Sequence, residues 1–265
     1  MPAHCFEELN HTITEVVLHR WLLLLLVASG LLSIGTPAYA QERTYSFSVV
    51  HSVYGNIGTF TASIARSGGT TRIDTHVRIA VKILGIVAHR KESDRTEIFQ
   101  GDRLVSFQSA TMTNGTRLDV RGEAKGDHFV VMSPTGVADA PADVAPSDPW
   151  LLRDRGVATV VFLETGRIVP TRITGGEPVM VSLQGATVAT RHFAARGQGQ
   201  QEMQHEIWLN DHDVPVKFRI IDDGVAIDFI LTSPLRDAAV AEALLVPRAK
   251  IRPDGDKKEG AALAP

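Results

Sequence analysis

Between Ser133 and Asp154 the chain carries Pro134, Pro141, Pro146 and Pro149, then Trp150, Leu151 and Leu152. Side chains of the last three kinds do no covalent chemistry. They bury against an apolar surface or close over an apolar ligand, and the indole adds one N–H donor at its edge. Trp208, within Glu206-Ile207-Trp208-Leu209, is the other tryptophan beyond residue 40, and a strand tryptophan suits a core or barrel-wall position. Trp150, Leu151, Leu152 and Trp208 are therefore the candidate ligand contacts, with Trp150 expected to pack as a plug or cap at one end of the fold.

Residues suited to bond-breaking chemistry form no recognisable set. The histidines beyond residue 40 are His51, His76, His89, His128, His192, His205 and His212. None are spaced i, i+4 for a helical metal pair, and neither His-Glu-x-x-His nor His-x-His occurs. Asp211-His212-Asp213 is the densest polar cluster, but it falls between two strand patterns, where Asn, Asp and His are ordinary turn residues. A Gly-x-Ser-x-Gly elbow and a glycine-rich phosphate loop are both missing. The run His89 to Glu97 mixes charges of both signs and reads as a solvated edge strand. No catalytic residue, metal site or cofactor is expected.

The elements around these residues follow a period of two. Ile73, Thr75, Val77, Ile79, Val81 and Ile83 alternate with Arg72, Asp74, His76, Arg78, Ala80 and Lys82. Tyr45, Phe47 and Val49, and again Val216, Phe218 and Ile220, alternate in the same way. Alternation puts one residue set on each face of a strand, as in half-buried antiparallel sheets. Turn pairs separate the runs: Gly68-Gly69, Gly101-Asp102, Asn114-Gly115, Gly126-Asp127, Gly175-Gly176 and Asp223-Gly224. About fourteen strands result, over roughly 44–53, 58–66, 70–82, 86–99, 103–113, 116–125, 128–133, 157–163, 167–174, 178–183, 186–195, 203–210, 214–222 and 225–232. With no alternating helices, this predicts a single all-β domain over 41–234. Its antiparallel meander would curl into a barrel or half-open barrel, with a β-sandwich as the other option. The proline-rich segment is expected to stay out of the ladder as a long crossing loop, with a short helix near Trp150. Leu235 to Val246 reads as one helix and 248–265 as a disordered tail.

The leader sets the expected compartment. Arg20 precedes an apolar run from Trp21 to Ile34, then Pro37 and Ala38-Tyr39-Ala40, the small-x-small pattern of a signal-peptidase site. The run is short for a membrane span and a cleavage site follows at once. Residues 1–40 thus read as a signal peptide with an extended leader that carries Glu7, Glu8 and Glu15. The mature chain would begin at Gln41, in the periplasm or secreted, with no stable membrane insertion after cleavage. Cys5 is the only cysteine, so that mature chain has neither disulfides nor thiolate ligands. Removing 1–40 takes away one base and three acids, leaving 26 basic and 27 acidic residues. A near-neutral total offers no general electrostatic case for nucleic acid or an anionic membrane surface.

A set of short motifs, in order, carries a family resemblance. Tyr45-Ser46-Phe47 with Gly55-Asn56-Ile57-Gly58 opens the domain, and a proline-rich loop ends at Trp150. Leu163 to Ile168, Ala189 to Phe193, Ile207 to Asn210 and Val216 to Arg219 follow. Together they resemble the domain-of-unknown-function 6134 family of exported bacterial proteins, and more distantly the lipoprotein-carrier half-barrels. The chain departs from that family where Leu209 and Asn210 replace an aromatic and an acid, and where Pro146 to Leu151 keeps only part of the loop motif. The resemblance implies export and a curved β-sheet, and by analogy an apolar or lipid-like ligand held without catalysis. The alternatives are an envelope structural or interaction module with a filled core, and a hydrolase lacking recognisable motifs.

Overall fold

The computed structural model describes residues 41–150, 154, 156–198, 204–222 and 224–234. The leader, Leu151, Leu152 and the expected C-terminal helix and tail lie outside them. Fifteen strands follow one another: β1 (Gln41–His51), β2 (Gly55–Ser67), β3 (Thr70–Ile83), β4 (Ile86–Gln100), β5 (Arg103–Thr113), β6 (Thr116–Lys125), β7 (His128–Ser133), β8 (Gly136–Pro141), β9 (Ala145–Pro146), β10 (Gly156–Val161), β11 (Ile168–Leu183), β12 (Ala186–Gly197), β13 (Gln204–Leu209), β14 (Pro215–Asp222) and β15 (Val225–Leu231). They form one sheet in the order β8-β7-β6-β5-β4-β3-β2-β1-β15-β14-β13-β12-β11-β10-β9. Every pairing is antiparallel except β9 with β10, which is parallel.

This order forces curvature. The sheet's two edge strands, β8 and β9, are consecutive in the chain and separated only by Ala142, Asp143 and Val144. That connection spans at most about 14 Å. Fifteen flat strands at about 4.8 Å spacing would put the edges about 67 Å apart. The sheet must therefore roll until its edges approach one another. It stays open, because β8 and β9 do not pair. The all-β, half-open expectation holds in that form.

Alternation then builds one interior. Val49, Phe60, Ile64, Ile73, Phe99, Phe107, Phe129, Ile207 and Leu231 are all buried in a single hydrophobic core. Register aligns Phe47 with Phe60 and with Leu231, and Phe218 with Phe229. The four phenylalanines of β1, β2, β14 and β15 pack with ring centroids 4.2–5.7 Å apart, a separation at which aromatic pairs attract beyond simple burial. Gly122 lets the Phe107 and Phe129 rings meet. A Cβ there would lie 2.3 and 2.4 Å from the two rings, which stack at 6.0 Å.

Three expectations need correction. Gly175-Gly176 is no turn. It lies inside the continuous strand β11, at a bulge where Gly175 opposes Phe193 and Glu177 opposes His192. Gly175 has φ +105°, and a Cβ there would sit 2.4 Å from the His192 carbonyl oxygen, so the bulge needs glycine. The proline-rich segment does join the sheet: Pro141 pairs with His128 and Pro146 with Val161. Both prolines occupy edge strands, where a missing N–H donor leaves no partner unsatisfied. Finally, Pro149 and Trp150 form a turn rather than a helix.

Candidate functional site

In an antiparallel meander, alternate connections lie at the same end. The connections at 52–54, 84–85, 114–115 and 162–167 and the turn at Gly224 surround one end of the rolled sheet. A cavity of about 1320 Å³ opens there. Its walls are the inward residues of the neighbouring strand ends, among them Ile57, Val77, Ile79, Val81, Ile220 and Ile227. Phe60, Phe218 and Phe229 continue the apolar wall inward to the aromatic cluster.

The crossing loop makes the floor. From Pro146, beside Val161 near the end of β10, the chain returns to Gly156 at the start of that strand. Ser147, Asp148 and Pro149 line the cavity. Trp150 lies beyond them, 1% exposed, with its ring 5.2 Å from Tyr45 and 6.0 Å from Phe47. Its indole N–H has no hydrogen-bond partner among the described residues. Trp150 thus plugs the interior beneath the cavity, as the sequence led one to expect.

Sequence reasoning missed the charged part of this floor. On β4 the inward set Ser93, Arg95 and Glu97 continues the parity of the apolar residue Phe99. Arg95 donates to Asp148 at 3.3 Å, and both are buried. Lys91 donates to Glu164 at 2.5 Å at the cavity wall. Glu97 is fully buried, and neither of its oxygens has a well-aligned hydrogen-bond partner among the described residues. Burial, then the neighbouring Asp148 charge, pushes its carboxyl well above the usual carboxylate range. Burial alone would weaken the Arg95 charge, but Asp148 and then Glu164 outweigh it and hold the guanidinium protonated. Burial likewise pushes Glu164 up, while Lys91 and then Arg95 bring it below the ordinary value. Burial holds the His205 ring down at about 4 against the pull of Asp148. Two ion pairs and two titratable groups whose burial disfavours charge therefore underlie apolar walls. The mixed-charge run 89–97 is not the solvated edge strand expected of it: it lies in β4 between β3 and β5, and Ser93, Arg95 and Glu97 turn inward while Asp94 and Thr96 face out.

Trp208 does not join Trp150. Ile207 and Leu209 point inward and are buried, so Trp208 takes the outer face. There its ring stacks on His192 at 4.7 Å, and the Lys217 ammonium lies 4.9 Å from its centroid. Trp208 is a wall residue seen from outside, away from the cavity. Asp211, His212 and Asp213 sit in a turn that Asn210 organises by accepting from the His212 and Val214 N–H groups. Among the described residues no group of three or more His, Cys, Asp or Glu is placed to hold a metal ion.

Fold and site together define an all-β protein with an open, barrel-like sheet around an apolar cavity. Known proteins agree with that class. The family model for a domain of unknown function, DUF6134, matches residues 47–232, and the chain belongs to that family. A crystal structure of a β-barrel-like protein of the domain of unknown function DUF1849, from Brucella abortus, is similar in fold. Its TM-score is 0.54 at 8% identity, covering 74% of this chain and 98% of that one. No curated protein matches this chain.

Proposed function

We propose that this protein is exported and holds an apolar or lipid-like ligand, without catalysis, in the cavity at the open end of its sheet. One observation carries the reading: a cavity of about 1320 Å³ with aliphatic and aromatic walls and a few converging charged groups at one side. Ligand sites commonly have that character, apolar surface for affinity and a few polar groups for orientation. The volume suits an extended acyl chain better than a small polar metabolite. The apolar run and Ala38-Tyr39-Ala40 support export, which would place the protein in the periplasm or outside the cell.

An apolar fluorescent probe, N-phenyl-1-naphthylamine, titrated into the protein should bind saturably. Val81→Trp, which fills the wall without adding charge, should weaken that binding at least about tenfold. No saturable binding by the unmutated protein would reject the ligand reading in favour of a structural module of the envelope. N-terminal sequencing of the exported form should begin at Gln41. A retained 21–34 segment in the membrane fraction would reject export with cleavage.

A further inference from the structure

Three two-residue hairpin turns in this sheet share one backbone. Leu84-Gly85 has φ values of 50° and 83°, Asn114-Gly115 has 48° and 86°, and Gln184-Gly185 has 50° and 77°. The first position of such a turn is left-handed, where Asn fits well and an ordinary side chain is strained. Two of the three turns carry a polar residue there. The third carries leucine, and Leu84 is 98% exposed. Its side chain relieves neither the backbone nor any apolar surface within the chain.

Leu84 is not isolated. Eight large apolar residues are exposed among the described residues, and six occupy two hairpins whose inner strands, β2 and β3, are neighbours. Ile83, Leu84, Ile86 and Val87 form one tip, and Val53 and Tyr54 the other. Tyr54 and Ile83 also line the cavity, so the apolar tips stand at its mouth. The near-neutral total charge conceals a local excess behind them. From Thr75 to Lys91 there is no acid, and Arg78, Lys82, Arg90 and Lys91 lie in that interval. Arg78 is engaged by Asp94 and Lys91 by Glu164. Lys82 and Arg90 are exposed beside the tip, and neither has an acidic partner among the described residues.

We infer that these two hairpin tips, with Leu84 at the apex, are a docking surface for an anionic lipid bilayer. An apolar apex backed by free cations matches the layering of such a surface, acyl chains beneath anionic headgroups. Two separate convex tips offer no groove for a peptide or helix. A tip-to-tip contact with a second copy would set Lys82 and Arg90 against their own counterparts, which opposes pairing. The docking surface stands whether or not the cavity takes a ligand. If it does, the mouth opens where the bilayer would lie.

The full chain contains another apolar run, 21–34, so the test must report on the tip itself. In a Cys5→Ser background, Leu84→Cys and, at the opposite end of the sheet, Asp102→Cys would each carry a polarity-sensitive thiol dye. With phosphatidylglycerol–phosphatidylcholine vesicles, emission from position 84 should shift to the blue and that from 102 should not. In the unlabelled chain, Leu84→Asp with Ile86→Asp should lower anionic-vesicle affinity about tenfold or more. Lys82→Ala and Arg90→Ala should each lower it about fivefold, with little change on pure phosphatidylcholine. Circular dichroism of each exposed-tip variant should keep the β signature. An unshifted dye at 84, equal shifts at 84 and 102, or vesicle binding indifferent to the aspartates would overturn the inference. A blue shift that grows with protein concentration without vesicles would also overturn it, in favour of self-association.

Discussion

The two ends of the rolled sheet share strands, alternation and curvature, yet one end is full and the other hollow. At the full end, Tyr45 and Phe47 face Trp150, which the crossing loop delivers into the interior. At the hollow end the inward positions of the neighbouring strands β2 and β3 hold Ile57, Val77, Ile79 and Val81, and none of the described connections descends between them. Strand parity decides which residues face inward, but not whether something fills the space between them. One described segment, 147–150, supplies the filling, and its depth sets where the cavity begins. The charged groups sit at that boundary, where Asp148 of the loop meets Arg95 of β4.

The contrast predicts that the plug carries stability and the mouth carries binding. Trp150→Ala should have the largest effect, a loss of about 3–5 kcal/mol in urea unfolding, because a large buried ring leaves a cavity that the rigid sheet cannot close. A loss below about 1 kcal/mol would mean that the plug is dispensable. Asp148→Asn should follow, at about 3 kcal/mol, since it leaves the buried Arg95 charge without its counter-ion. Unchanged stability there would show that water solvates Arg95 through the cavity.

The boundary groups also predict pH dependence, with opposite signs. The unfolded chain protonates His205 near 6.5, whereas the folded ring stays neutral down to about 4. Its contribution is therefore intact above 6.5 and lost as pH falls from 6.5 toward 4. The loss is at most about 3 kcal/mol, because the ring borders the water-accessible cavity. Glu97 works the other way. Its raised carboxyl is no burden below the ordinary carboxylate range, and stability is lost as pH rises from that range through the raised value. His205→Gln should flatten the acid slope of urea midpoints, and Glu97→Gln should flatten the alkaline one. Parallel slopes in variant and parent would disprove either assignment.

The smallest effect belongs to the outer wall. Trp208→Ala should cost about 1–2 kcal/mol, from lost stacking on His192 and lost cation–π contact with Lys217, and leave probe binding in the cavity unchanged. Weakened probe binding would place Trp208 in functional contact with the interior after all.

The sequence by itself determined the strand class, most strand positions, the two faces of most strands and the burial of Trp150. These follow from local rules: side chains alternate along a strand, and Gly- and Asn-containing pairs turn it. Trp208 shows where local rules stop, because a tryptophan in a strand looks the same from either face until its neighbours are placed. Only the tertiary structure decided the rest. Closing β8 to β9 through three residues rolls the sheet, and that roll makes an interior that no single strand contains. The Arg95–Asp148 pair joins residues 53 positions apart, and the Glu97 carboxyl is raised by its own burial and then by the Asp148 charge, against the pull of Arg95. Pro141 and Pro146 of the proline-rich segment entered the sheet because the topology put them at its edges. Gly175-Gly176 became a bulge because β12 runs alongside both halves of β11, whose pairing continues past the glycines. In each case the deciding quantity was the company a residue keeps across the sheet, which depends on chain order and curvature rather than on neighbours in sequence.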